Sequence, residues 1–283
     1  SYQPKSICDP FAGAGNTAFP FANIGIEEVR VDTQEINRDA YFKLVISRTI
    51  RKIEGRDYFG DSLSQPLYQE NKYDLIVSFP PFGMKIPKAT RNNIYYKTSN
   101  KWLDITEILP ESRSDWFITL SMLPALSEGG KILVGMSLGA LTRAGSEAKV
   151  REYLVSRGII EQVILLPKNI YYSTAISTVL LVLNSGTSNI NDRSIKFVDA
   201  SLFYEPARGR NTLTTKNINE IVEACHKDGR FSISSSHTQI SNRDFNLDPS
   251  LYVRKDLKIR EVSLKNFRGY SDFKVSIHPS LNV

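Results

Sequence analysis

The sequence predicts an α/β fold built on a doubly wound, mostly parallel sheet, and three observations predict it. Short apolar runs alternate with amphipathic stretches of helical length over most of the 283 residues. The first apolar run, Ser6-Ile7-Cys8, ends on Asp9 and passes into a glycine-rich turn, the strand–loop–helix entry of open α/β sheets. Late in the chain, two β-branched runs, Ser177 to Leu183 and Ile195 to Val198, have no helix between them. They are expected to form an antiparallel pair at the sheet edge.

The elements follow in order. A helix is expected from about Thr17 to Ile24. Val29, Val31 and Thr33 alternate in strand fashion over Glu28 to Gln34. Ala40, Phe42, Leu44, Val45, Thr49 and Ile53 recur at helical spacing over Arg38 to Ile53. Tyr73 to Val77 is a strand. Asp115 to Leu126 reads as a helix closed by Ser127-Glu128-Gly129-Gly130. Lys131 to Met136 is a strand, Ser146 to Ser156 a helix and Gln162 to Leu166 a strand. Ser185 to Arg193 is a polar loop. The serine-rich stretch Lys227 to Thr238 reads as a change of role, and Leu257 to Val283 as a two-stranded hairpin.

Composition narrows the class. Hydrophobic residues make up 41% and charged residues 23%, which is globular rather than disordered. No apolar stretch approaches the roughly 20 residues that span a bilayer. The two cysteines, Cys8 and Cys225, fit neither a disulfide framework nor a metal-ligand spacing, so a reducing, cytoplasmic setting without a metal is expected. Cys8 is expected in the core. The net charge of +6 favours a polyanionic partner. The chain does not begin with Met and reads as a piece of a longer protein.

Three constellations carry chemistry. Asp9-Pro10-Phe11-Ala12-Gly13-Ala14-Gly15-Asn16-Thr17 lies where a strand gives way to a helix, and its glycines let a ligand approach the backbone. Glu35, twenty positions after Gly15, suits a ribose, because a carboxylate accepts from two hydroxyls; Asp32 competes for that role. Gly60-Asp61-Ser62 follows an aromatic pair at a strand end. Asp61 is read as a ligand contact or as a turn aspartate. Ser78-Phe79-Pro80-Pro81-Phe82-Gly83 follows the strand ending at Val77. Its prolines fix an extended loop, and Phe82 can stack on an extruded base.

With these residues in order, the chain resembles the modification (methyltransferase) subunit of type I restriction–modification systems, of the adenine-N6 DNA methyltransferase type. Further landmarks are Gln34-Glu35-Ile36-Asn37, Gly60-Asp61-Ser62-Leu63, Leu165-Leu166-Pro167, Phe197-Val198-Asp199-Ala200-Ser201 and Asn246 to Tyr252. The resemblance covers about residues 5–253. It implies a Rossmann-like S-adenosylmethionine-dependent methyltransferase fold, a mostly parallel seven-stranded sheet with an antiparallel edge strand. It implies S-adenosyl-L-methionine as cofactor, held by Asp9, Phe11, Gly13, Gly15, Asn16, Thr17, Glu35, Asp61 and Ser62. It places the transfer site at Phe79, Pro80, Pro81 and Phe82. DNA is the implied substrate and a separate specificity subunit the implied partner, with a restriction or ATPase partner beside them.

One position departs from that family's pattern. Where the family carries Asn, Asp or Ser before the two prolines, this chain has Phe79. A phenyl ring offers no acceptor to an adenine amino group, so weak or absent methyl transfer is expected. Ser78 is one residue early and points to the other face in an extended chain. The alternative reading is therefore a methyltransferase-like module that binds cofactor and DNA in a restriction or phage-defence protein with a fused ATPase.

Two further segments complete the expectations. Met84 to Leu103 holds Lys85, Lys88, Arg91, Lys97 and Lys101 with Tyr95, Tyr96 and Trp102 and no acid. It reads as a DNA-contacting loop or a solvated one; Arg208 and Arg210 make a weaker patch. The domains are expected to be 1–253, the methyltransferase-like unit, and 254–283. In the latter, Leu257 to Tyr270 resembles the opening strands of RecF/SMC-type ABC ATPases, without a phosphate loop.

Overall fold

The computed structural model describes residues 3–23, 29–98, 100–171, 176–185, 194–253, 261–267 and 269–276. The chain divides into two compact units, Ser1–Val253 and Arg254–Val283. The second contains a hairpin, β12 (Glu261–Phe267) paired antiparallel with β13 (Tyr270–Ser276), the hairpin that the alternation of Val262, Leu264, Phe273 and Val275 predicts. Leu257, Ile259 and Ile277 lie outside the described residues.

The first unit is built on one nine-stranded sheet. Its first half comprises β1 (Ser6–Asp9), β2 (Arg30–Glu35), β3 (Asp57–Phe59), β4 (Tyr73–Ser78) and β5 (Leu126–Ser137). These run parallel in the spatial order β3-β2-β1-β4-β5. The other half adds β6 (Ile160–Leu165), β7 (Thr178–Asn184), β8 (Ser194–Asp199) and β11 (Ser232–Ser236), in the order β5-β7-β6-β8-β11.

Here the expectation of seven strands with one antiparallel edge is corrected. Among the described residues the sheet has nine strands, and β7 runs antiparallel inside it, between β5 and β6. Among the described residues no helix joins β6 to β7, and β7 returns antiparallel into the gap that β5 and β6 leave. β7 and β8 are not neighbours: β8 pairs parallel with β6. The serine-rich stretch is no boundary either. Ser232–Ser236 is the edge strand β11, antiparallel to β8.

Alternation along the strands splits the core into layers. On β1 and β4, Ile7, Leu75 and Val77 pack with Leu44 of α1 (Arg38–Arg51) and with Phe19. Cys8 and Ile76 face the other way, into a cluster with Trp116, Phe117 and Leu120 of α3 (Asp115–Ser121). Cys8 is fully buried, as expected. α1 begins where Asn37 accepts from Ala40 N (3.0 Å) and ends at Lys52 in the left-handed region.

Two helix boundaries differ from expectation, and proline marks both. The first expected helix is a single 3-10 turn, Phe19–Asn23, where Pro20 withholds an amide; Ile24 lies outside the described residues. α3 stops at Ser121, Pro124 follows in a short 3-10 turn, and Gly129-Gly130 lie within β5 rather than capping a helix. α2 (Lys88–Thr98) turns the expected basic loop into a helix. α4 (Leu138–Thr142) and α5 (Ser146–Ser156) connect β5 to β6. Among the described residues no helix is long and apolar enough to cross a membrane.

Candidate functional site

The three predicted constellations follow the carboxyl ends of β1, β3 and β4, and Glu35 closes β2. Asp9 closes β1 completely buried; its Oδ1 accepts from Phe11 N (3.1 Å) and from Ser78 Oγ (2.6 Å). The second bond ties the glycine loop to the strand carrying the two prolines. Gly13 and Gly15 adopt positive φ (54° and 84°), which glycine takes without strain. Gly15 is further fixed by space, since a Cβ there would meet the Phe19 ring at 2.5 Å. Gly13 meets nothing within 4 Å, so the loop offers bare backbone to open space.

Glu35 bridges the loop to the next element. Its Oε2 accepts from Gly13 N (2.7 Å) and its Oε1 from Asn37 N (2.6 Å). Each oxygen keeps a further lone pair, and the residue is only half-buried. Asp32 is excluded from the same role. It is fully buried and accepts from Arg30 (2.7 Å), Arg56 N (2.9 Å) and Tyr73 OH (2.9 Å). Asp61 caps its own turn, accepting from Leu63 N (3.0 Å) and Ser64 Oγ (2.6 Å), while buried Ser62 donates to the Pro10 carbonyl under the glycine loop. Exposed Asn16 and half-buried Thr17 continue that loop.

Burial pushes the Asp9 carboxyl up to about 7, against the opposing pull of its bonds from Ser78 and Phe11; the nearby Glu35 charge raises it further. Its Oδ2 is buried without a hydrogen-bond partner. Asp9 thus sits buried beneath the loop.

Phe79 leaves β4 and lays its ring on the next strand. A Cβ on Gly135 of β5 would come within 2.3 Å of that ring, so only glycine permits the approach. Pro80 is buried, and Pro81 and Phe82 emerge into the mouth, exposed and half-buried. Tyr171 completes an aromatic group, its centroid 5.8 Å from Phe79 and 6.3 Å from Phe82, edge-on to the latter. Burial pushes the Tyr171 phenol up to about 12, so it stays protonated. Sequence reading missed Tyr171; the one available signal was a Tyr-Tyr pair shortly after Leu165-Leu166-Pro167.

Asp115 was also missed, because a lone acid at a helix start reads as a dipole partner. Its Oδ1 accepts from Gly83 N (2.8 Å) and its Oδ2 from Ser137 Oγ (2.9 Å). It therefore pins the chain just past Phe82 to the end of β5. Arg143 lies 4.0 Å from Oδ2 and pairs with buried Glu147. Asp115→Ala would strand the part-buried Gly83 amide and the buried Ser137 hydroxyl. A loss of about 2–4 kcal/mol in urea denaturation is expected. Asp115→Asn, which keeps an acceptor for Gly83, is expected to cost under half as much.

The basic segment is only partly available to a polyanion. Arg91, expected on DNA, is corrected: it is 5% exposed, and its guanidinium donates to the carbonyls of Ile86 (2.9 Å) and Leu109 (3.0 Å). Its neighbours Ile86, Ile94 and Leu103 draw it inward as helical packing forms. Lys85 pairs with Glu111 at 3.7 Å, a contact that the acid-free window of Met84 to Leu103 concealed. Lys88 and Lys101 are exposed, the latter 5.8 Å from the Trp102 ring centroid. Lys97 lies on α2, but its side chain is outside the described residues. Among the described residues no group of three or more His, Cys, Asp or Glu could hold a metal ion.

Comparisons with known proteins give the family and the fold. The family model described as N-6 DNA Methylase matches residues 1–261. The type I restriction enzyme MpnII methylase subunit of Mycoplasma pneumoniae is 27% identical over 246 residues, covering 82% of this chain and 45% of its own length. The MjaVII methylase subunit of Methanocaldococcus jannaschii is 29% identical, covering 93% and 49%. The chain thus spans about half the length of these relatives. A type I restriction-modification methyltransferase subunit from Streptococcus thermophilus shares the fold, with a TM-score of 0.77 at 22% identity. That match covers 88% of this chain and 54% of the other. The family match spans residues 1–261, and on it the chain belongs to the N-6 DNA methylase family.

Proposed function

We propose that the chain is the cofactor- and base-binding module of a modification-type DNA adenine-N6 methyltransferase that relies on a partner to read the DNA sequence. The observation that carries this reading is the Ser78–Asp9 hydrogen bond. It holds the glycine loop and the Pro80-Pro81-Phe82 corner side by side at the ends of adjacent parallel strands, where open α/β sheets bind ligands. The relatives named as methylase subunits of type I restriction enzymes support the need for a partner.

The residues present fit S-adenosylmethionine. The open space over Gly13 admits a ligand against the backbone, and the spare lone pairs of Glu35 suit a ribose diol. The cofactor supplies a methyl group on a positively charged sulfur, ready for a nucleophilic nitrogen. Burial raises the Asp9 carboxyl to about 7, and above that pH its negative charge favours cations in the cleft. Phe82 and Tyr171 form the apolar walls for an extruded base. Asn16, Thr17, Asp61 and Ser62 shape the loop and its floor. Glu35→Ala removes both amide anchors and the ribose acceptors. Calorimetry is expected to show at least a 10²-fold weaker cofactor dissociation constant, about 3 kcal/mol.

A second reading is favoured by Phe79: the same cleft binds cofactor and DNA but transfers methyl groups poorly. Labelled-methyl transfer to unmodified duplex DNA, by the full-length protein with its specificity partner, separates the two. Rapid transfer contradicts the impaired reading; cofactor binding without transfer supports it; no cofactor binding contradicts both. The likeness of Leu257 to Tyr270 to the opening strands of RecF/SMC-type ATPases rests on sequence pattern alone. A phosphate loop encoded past Val283 is its test.

A further inference from the structure

Phe79 puts an apolar ring where an adenine amino group needs an acceptor, and two further rings, Phe82 and Tyr171, stand with it. We propose that this aromatic corner binds an extruded adenine already methylated on N6 in preference to unmodified adenine, an assignment that rests on the base-pocket reading above.

Shape comes first. All three residues are half-buried, so each keeps exposed surface. The Tyr171 ring is inclined by 52° to Phe79 and by 73° to Phe82, which makes a corner rather than a flat stack. Each ring is held in place from outside the corner. Phe79 reaches its position because Gly135 has no side chain; a Cβ there would lie 2.3 Å from the ring. Phe82 is followed by Gly83, whose amide donates to Asp115 (2.8 Å). Tyr171 follows a segment tied to the hairpin of β9 (Glu205–Ala207) and β10 (Arg210–Thr212). There Asn211 donates its backbone N to the Asn169 carbonyl (2.8 Å) and its Nδ2 to the Lys168 carbonyl (2.8 Å). Among the described residues, Phe79 and Phe82 join none of the hydrophobic clusters of the core. Rings that served only core packing would lie in one of them.

Hydrogen bonding comes second. The amino group of adenine is a donor with two N–H bonds, and N6 methylation replaces one of them with a methyl group. A phenyl ring accepts neither. The nearby polar groups are committed elsewhere: Ser78 donates to Asp9 (2.6 Å), and Asp115 accepts from Gly83 N (2.8 Å) and Ser137 Oγ (2.9 Å). Unmodified adenine held against Phe79 therefore leaves a donor unpaired, which lowers affinity by about fivefold or more. The methylated base has one donor fewer. It also lays a methyl group on the rings, and burying one methyl is worth about fourfold in affinity. The hydrogens of a methyl group on nitrogen are slightly positive, which suits the negative face of an aromatic ring. Both differences favour the methylated base. The Tyr171 hydroxyl is the one polar group carried by the three rings, and it is removed separately below.

The test is fluorescence anisotropy with the full-length protein and three labelled single-stranded oligothymidines. They differ only at the central base: thymine, adenine or N6-methyladenine. Single strands remove the work of extrusion and the need for a recognition sequence. The wild type is expected to bind the N6-methyladenine strand about fivefold or more tighter than the adenine strand. Phe79→Asn, which restores an acceptor and removes the ring, is expected to bring the two within about twofold or to reverse their order. Tyr171→Phe keeps the ring and is expected to keep the preference. Equal binding of the adenine and N6-methyladenine strands by the wild type, or tighter binding of adenine, with both above thymine, overturns the preference and leaves the base pocket standing. A preference that survives Phe79→Asn overturns it too, because the ring is then not what meets the methyl group. Loss of the preference in Tyr171→Phe also overturns it, because a hydroxyl then distinguishes the bases. Binding of neither purine strand above the thymine strand overturns the base-pocket reading, and the preference with it.

Discussion

Phe79→Asn is expected to raise methyl transfer to adenine in DNA by at least tenfold and up to about 10²-fold, the usual worth of one positioned polar group at a reacting centre. The residue before the prolines sits where β4 meets the mouth, between buried Ser78, whose hydroxyl is committed to Asp9, and buried Pro80. Of the described residues against that ring, neither replaces the missing acceptor: Gly135 lies under it and Tyr171 presents its own ring. An asparagine side chain is smaller than the phenyl ring, so it fits where the ring lies and brings a carbonyl oxygen.

The exchange has a cost. The ring's packing on Gly135 and Tyr171 is lost, and about 1–2 kcal/mol of stability is expected to go with it. Single-turnover transfer of a labelled methyl group measures the gain. A flat result would mean that the corner lacks more than the acceptor. The packing has its own check: Gly135→Ala is expected to destabilise by about 1–3 kcal/mol, and Phe79→Asn to relieve much of that in a double-mutant cycle.

Asp9→Asn is expected to make the protein more stable and the cofactor site weaker at the same time. The folded carboxyl titrates near 7, above its ordinary 3.8. Between those values the folded state holds a proton that the unfolded chain has released. The group's contribution to stability is therefore fully present below about pH 4 and lost as pH rises towards 7. Above that, the buried charge costs on the order of 4 kcal/mol. Asparagine keeps the acceptor used by Phe11 N and Ser78 Oγ while removing the charge. Thermal melts at pH 8 are expected to shift upward, and the fall in melting temperature between pH 5 and pH 8 to flatten. Affinity for S-adenosylmethionine is expected to drop about tenfold at pH 8, because the cleft loses its buried negative charge. A variant with unaltered pH dependence would place the titration elsewhere.

The coupling of these residues also explains what the sequence could reveal. The glycine loop, Glu35 and the proline corner are local signals. Each sits at a strand end, and strand ends of a parallel sheet meet without further instruction, so the site could be assembled from linear motifs. In the β1-to-β5 half, α1 between β2 and β3 and α2 with α3 between β4 and β5 supply the crossovers that return strands parallel. The other half was not legible, because a strand without a preceding helix has two possible partners. β7 took the interior gap between β5 and β6 rather than the edge, a choice made by packing of Val179, Leu181 and Leu183 against both neighbours.

Single residues failed for the same non-local reason. Arg91 reads as a surface cation until α2 forms and carries it under the Leu109 carbonyl. Asp115 reads as a helix-start acid until Gly83, 32 residues earlier, arrives to donate to it. Tyr171 has no motif of its own; the loop after β6 brings it to Phe79 and Phe82.

The central claim is that the Asp9-to-Gly15 loop with Glu35 forms a site for S-adenosylmethionine, whatever the state of transfer at Phe79. Isothermal calorimetry of the wild-type protein with S-adenosylmethionine, and with its demethylated product, tests it most directly. One-to-one binding is expected, with a dissociation constant in the micromolar range or tighter, about −8 kcal/mol, and at least 10²-fold weaker for Glu35→Ala. Absence of heat with either ligand, or binding untouched by loss of Glu35, would contradict it.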